Sequence, residues 1–176
     1  MYSVRIGADL AEPLHEYLAA PIERMAFLLS QVSSEPDDNN TTSWTARDIL
    51  YLSDEADYAY QDDEGMELAD HVRPKILQAA TKAGAALIEV HSHGSTAWPA
   101  AFSRTDLVGL REVAPQMLWR LPRRPYTAIV LHDQDVDALV WTARNTPPIV
   151  PDTIGLGDRR LRPTGRSAER LSREAI

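Results

Sequence analysis

His91-Ser92-His93 closes a short apolar run, Ala85 to Val90, and these two histidines are the residues of the chain best placed to do chemistry. A run of this length and composition reads as a buried central strand. In a strand, residues two apart project from one face, roughly 6.6 Å apart along the chain. Two imidazoles so placed can converge on one ion. The chain has five histidines and no cysteine. A metal held here is therefore bound by histidine nitrogen and carboxylate oxygen rather than thiolate. Disulfides and a cysteine nucleophile are excluded on the same ground.

After nine intervening residues, His93 is followed by Ser103-Arg104-Thr105-Asp106. On a helix, positions three apart share a face, so Asp106 reaches toward whatever Ser103 faces. The same S-x-x-D spacing at a helix start is close to a capping box, in which Glu or Gln is the usual last residue. Asp106 thus carries two readings, metal ligand and helix cap. Glu89 lies two before His91 and shares its strand face, so it is open as a ligand, a base or an ion-pair partner. His15, His71 and His132 show no partner pattern and read as surface or structural residues.

Taken together, HSHGSTAWPAAFSRTD resembles the H-x-H, spacer, S-x-x-D signature of the JAMM (MPN+, JAB-type) metalloproteases. Gly94 stands where that family usually has proline, and the spacer is longer than usual; both departures lie in the loop beside the ligands. The order of elements from about Leu14 to Trp141 is also similar. The resemblance implies an α/β fold of JAB/MPN type, with a central mixed β-sheet, like that of cytidine deaminases, flanked by helices. It implies a zinc ion held by His91, His93 and Asp106. It implies Glu23 as the residue that moves the proton and Ser103 as a donor to the developing oxyanion. Glu89 stays a rival to Glu23 as base, and Ala26 stands near a glycine of the family's strand. The implied activity is that of a deubiquitinase-like isopeptidase. The substrate would be a ubiquitin-like protein, cleaved after its C-terminus in deconjugation or precursor processing. E1- and E2-like proteins of the same operon would be its partners, as in bacterial antiphage operons. Two alternatives are a metal-free scaffold module of the same fold and a metallohydrolase of small amides.

Positioning these residues requires particular elements. Helical spacing begins at Pro13 and ends at Pro21, which disfavours helical backbone before it. Met25 to Val32 reads as a buried strand, Ser33 to Thr42 as a loop and Trp44 to Leu52 as a strand. The acidic segment Asp54 to Glu67 reads as a strand edge and a solvated loop, with a substrate-contacting insertion as the alternative. Met66 to Ala83 has helical spacing with a stop at Gly84. A helix runs from Ser103 through Leu118. Tyr126 to Leu131 and Val136 to Trp141 are strands joined by a turn at Asp133-Gln134-Asp135.

The chain has 176 residues, 44% of them hydrophobic, which suits one compact domain over 1–151 and an Arg-rich tail, 152–176, expected to be loosely packed. The net charge of −8 argues against a nucleic-acid partner, which demands a basic surface. The tail alone is net +2, from six arginines and four acids, leaving −10 elsewhere. Neither a signal peptide nor a run long enough to span a bilayer is visible, so the expectation is a cytoplasmic protein with no membrane partner.

Overall fold

A computed structural model describes residues 1–33, 42–54, 56–63, 65–93, 99–132 and 134–174. The elements run β1 (Tyr2–Ile6), α1 (Ala8–Leu18), β2 (Met25–Ser33), β3 (Thr42–Tyr51), β4 (Tyr58–Gln61), β5 (Met66–Leu68) and α2 (Val72–Ala83). They continue with β6 (Ala86–Ser92), α3 (Arg104–Arg120), β7 (Tyr126–Leu131), β8 (Val136–Trp141), β9 (Thr153–Leu156), β10 (Arg159–Leu161) and α4 (Arg166–Glu174). Among the described residues they form an eight-stranded sheet in the order β10-β9-β1-β3-β2-β6-β7-β8, beside a separate β4-β5 pair. The sheet is mixed: β1 runs parallel to β3 and β9, and β6 parallel to β7, while the other neighbours are antiparallel. This is a mixed α/β fold with a large sheet flanked by helices.

The central strands are apolar on both faces because both faces are covered. Met25, Phe27 and Leu87 pack into the cluster beneath α2 and α3, and the residues between them, Ala26, Leu28 and Ile88, into the cluster beneath α1. Odd-numbered residues of β6 therefore face α2 and α3, and this alternation aims Glu89 and His91 at that side. Ala168 and Leu171 of α4 pack against the same cluster. No described helix is long and apolar enough to cross a membrane.

Several sequence expectations need correction. Residues 152–176 are not a loose tail: β9 lies beside β1 in the main sheet, Ile154 is wholly buried, and α4 packs on the core. Polar and Arg-rich composition masked a strand whose partner lies some 150 positions away, Ser3 opposite Thr153. The N-terminal strand β1 was not anticipated either. Helix α1 begins at Ala8 and carries Pro13 inside it; the loss of one backbone bond there is offset by burial of Ala11, Leu14 and Leu18. Met66–Leu68 is strand rather than helix, because pairing with Tyr58–Gln61 claims it, and the helix starts only at Val72. Asp57 in the acidic segment is buried, not solvated. The expected loop at 34–41, acids Glu55 and Glu64, Gly94 with the start of its loop, and Asp133 of the expected turn lie outside the described residues.

Candidate metal centre

The site forms where the end of β6 meets the start of α3. His91 pairs across β6 with Met25 of β2 on one side and Val130 of β7 on the other, so its backbone is fixed from both edges. The side chain is 2% exposed, and the Phe102 ring lies 5.5 Å from the imidazole centroid. His93 follows the strand by one residue. Helix α3 opens on Ser103, whose backbone is extended. Its hydroxyl accepts from the Asp106 amide at 3.1 Å, and its own amide donates to Asp106 Oδ2 at 2.7 Å. This is the reciprocal capping box.

Asp106 is nonetheless not used up by the cap. His93 Nε2 lies 3.1 Å from Asp106 Oδ2, His91 Nε2 lies 3.6 Å from it, and the two Nε2 atoms are 3.1 Å apart. Three donor atoms thus form a small triangle. A tetrahedral ion with bonds of about 2.0–2.1 Å needs ligand atoms ~3.3 Å apart, the mean of these three edges within a tenth or two. Two nitrogens and one carboxylate oxygen with no thiolate is a donor set suited to a catalytic ion, which keeps a fourth position open. His91 Nδ1 is buried without a hydrogen-bond partner among the described residues. Ligating histidines usually donate that second N–H.

Glu23 lies two residues before β2, the strand next to β6 in the sheet. The Ser92 amide donates to the Arg24 carbonyl at 3.1 Å, which places Glu23 level with His93. The β4-β5 pair holds its backbone: Gln61 Nε2 donates to the Glu23 carbonyl at 2.7 Å, and the Glu23 amide donates to the Asp62 carbonyl at 2.9 Å. Burial raises the Glu23 carboxyl above its usual range, opposed by His93 and His91 close by. Burial also pushes Asp106 upward, but His91, His93 and Ser103 beside it hold it well below the carboxylate range. Burial pulls His91 down, yet its pairing with Asp106 more than compensates and the imidazole is raised.

Glu89 does not join the cluster. It is buried with its carboxylate on the Tyr126 hydroxyl, and Arg73 Nη1 lies 3.9 Å away. Burial raises its carboxyl against the pull of Arg73 and Tyr126. His71 pairs with Asp57 at 3.0 Å, and His15 is exposed. A cavity of about 1100 Å³ between α2 and α3, with Lys75, Lys82 and Arg120 in its wall, shares no residue with the His-His-Asp cluster.

Sequence reasoning missed Phe102, Gln61 and the residues behind Phe102. One signal was available: Asp137, a lone acid inside the apolar strand Val136–Trp141, must find buried donors.

No protein-family model and no curated protein matches the chain. In structure it is similar to protein DSY2949 from Desulfitobacterium hafniense, solved in solution: 18% identity, 89% of this chain and 94% of that one, TM-score 0.49. It is also similar to the STIL N-terminal domain of Trichoplax adhaerens: 11% identity, 74% of this chain and 36% of that one, TM-score 0.29. Both superpositions fall below a TM-score of 0.5, and neither name states an activity.

Proposed function

We propose that this protein is a zinc-dependent peptidase of the JAMM type, cleaving after the C-terminus of a ubiquitin-like protein in deconjugation or precursor processing. The supporting observation is the meeting of His91, His93 and Asp106 at one point, with Glu23 held level with His93. The element order, α1, Glu23, β2, α2, β6 and α3, agrees with the resemblance carried by H-x-H and S-x-x-D.

In this reading His91, His93 and Asp106 hold the ion. When bound, zinc polarises a scissile carbonyl and makes water a nucleophile at neutral pH. Glu23, whose carboxyl burial raises above its ordinary value, takes the proton from the attacking water and delivers it to the leaving amine. Ser103 accepts a bond from Asp106 N–H as the helix cap, which leaves its own hydroxyl proton free to be donated to the oxyanion. Gln61 and Asp62 keep the Glu23 backbone in place while the proton moves.

The test pairs metal content with turnover. Purified in the absence of metal and reconstituted, the protein should take up one zinc per chain. Glu23→Gln should keep that zinc and lose about 10²- to 10⁴-fold in cleavage of a ubiquitin-like fusion. No stoichiometric zinc would remove the enzyme reading in favour of a scaffold module. Normal turnover by Glu23→Gln would move the base to another residue.

A further inference from the structure

We infer that α4 is a clamp that sets the position of Ser103 and Asp106, so that the C-terminal helix is part of the metal centre's supporting frame; the inference rests on the metal reading above. The residue immediately before the helix cap is Phe102, and it is wholly buried. Both polar groups of its backbone are held by α4. Its amide donates to Ser167 Oγ at 2.9 Å, and Arg170 Nη1 donates to its carbonyl at 2.7 Å. Two residues earlier, Thr164 Oγ1 donates to the Ala100 carbonyl at 2.7 Å. The chain entering α3 is therefore fastened at two points spaced two residues apart.

The clamp is anchored in turn. Asp137 of β8, wholly buried, accepts from the amides of Gly165 and Ser167 at 2.9 Å each and from Ala138 at 3.0 Å. Gly165 has φ +73°, a left-handed conformation that glycine adopts at no cost, and this turns the chain into α4. The Thr164 amide donates to the Val136 carbonyl at 2.9 Å. A continuous set of bonds thus runs from the edge strand β8 through α4 to Phe102. From there it divides. The backbone leads to Ser103 and Asp106, and the Phe102 ring packs on His91. Ligands held within a few tenths of an ångström need such support, and loss of outer partners typically costs 10- to 100-fold in metal affinity.

Cobalt(II) is the probe, because its visible absorption reports ligand geometry. Ser167→Ala and Arg170→Met should each weaken Co²⁺ binding by about 10- to 100-fold and alter the absorption of the bound ion. Both should speed amide exchange at Phe102 and Ser103. Arg170→Lys, which restores a donor, should recover part of the affinity. Arg173→Ala, exposed on the same helix and paired with Glu169 at 3.9 Å, should match the parent in all measurements. Unchanged Co²⁺ affinity and spectrum in both clamp variants would overturn the inference, whatever happens to exchange. A parent protein that binds no metal would sink the metal reading instead. The exchange measurement then decides the clamp alone, and unchanged rates at Phe102 and Ser103 would dismiss it.

Discussion

Asp106→Asn separates the two roles that meet in this side chain. Asparagine keeps an oxygen to accept from the Ser103 amide, so the capping box survives in outline. It loses the charge that faces His93 at 3.1 Å and His91 at 3.6 Å. Exchanging a charged for a neutral hydrogen bond should cost the metal-free protein about 1–2 kcal/mol. At about 2–4 °C per kcal/mol for a chain of this size, that is a drop in Tm of about 2–8 °C. Zinc at a hundred times its Kd should raise the parent by about 2.7 kcal/mol, or about 5–11 °C. Removing an anionic ligand should weaken binding by more than the ~100-fold seen for outer partners. The same zinc concentration then sits at or below Kd, and the stabilisation falls to about 0.4 kcal/mol, near 1 °C. Calorimetric scans with and without zinc read all four numbers. A full zinc shift in Asp106→Asn would refute ligation by this residue. A parent without any zinc shift, alongside a destabilised variant, would leave Asp106 as a cap and nothing more.

Ser103→Gly should cost only a few tenths of a kcal/mol, since glycine is a tolerable N-cap, yet slow turnover by about 10²- to 10³-fold if the hydroxyl serves the oxyanion; equal kcat would return Ser103 to a purely structural role. Asp57 is held below the usual carboxylate range first by the Ser53 amide at 2.8 Å, then, against its burial, by His71 and Lys75. A lowered native pKa means the unfolded chain binds the proton more readily, so this stabilisation is complete above about pH 4 and is lost as pH falls below it. Urea midpoints of Asp57→Asn should be lower than the parent's at pH 7 and decline less toward pH 3; parallel profiles would discount Asp57.

The parts of the fold that were legible are those whose signal is local. Tyr126–Leu131 and Val136–Trp141 occur as their apolar runs predict, because each is buried on both faces. Gly84 ends α2 with φ +65°, as a left-handed stop requires. The H-x-H pair was legible because two-residue spacing and a buried strand fix its geometry without reference to anything distant. What depended on remote partners was not. Tyr2–Ile6 is five residues with a broken alternation, and its neighbours β3 and β9 lie far along the chain. Met66 and Leu68 fit the helical period of α2 as well as a strand, and only β4 decides between them. The clamp residues Ser167 and Arg170 sit in a segment whose composition reads as solvated, and nothing near them in sequence points to Phe102.

The proposed ligand set follows from how far a strand can reach. Glu89, His91 and His93 share one face, but each step of two residues advances roughly 6.6 Å. An ion between His91 and His93 is therefore out of reach of Glu89, whose carboxylate turns instead to Tyr126 and Arg73. With Glu89 engaged there, β6 offers the proposed ion only His91 and the adjoining His93, and the third donor comes from another element. The first turn of a helix is suited to supply it, because unpaired amides and the positive end of the helix dipole steady a carboxylate there. At N3 the side chain bonds back to the cap residue's amide and still presents its oxygen outward. Cap and proposed ligand are for that reason compatible roles for Asp106, and S-x-x-D spacing alone does not tell them apart. The distinguishing fact lies outside the motif: two imidazoles at 3.1 and 3.6 Å from the capping oxygen, which a helix start does not need.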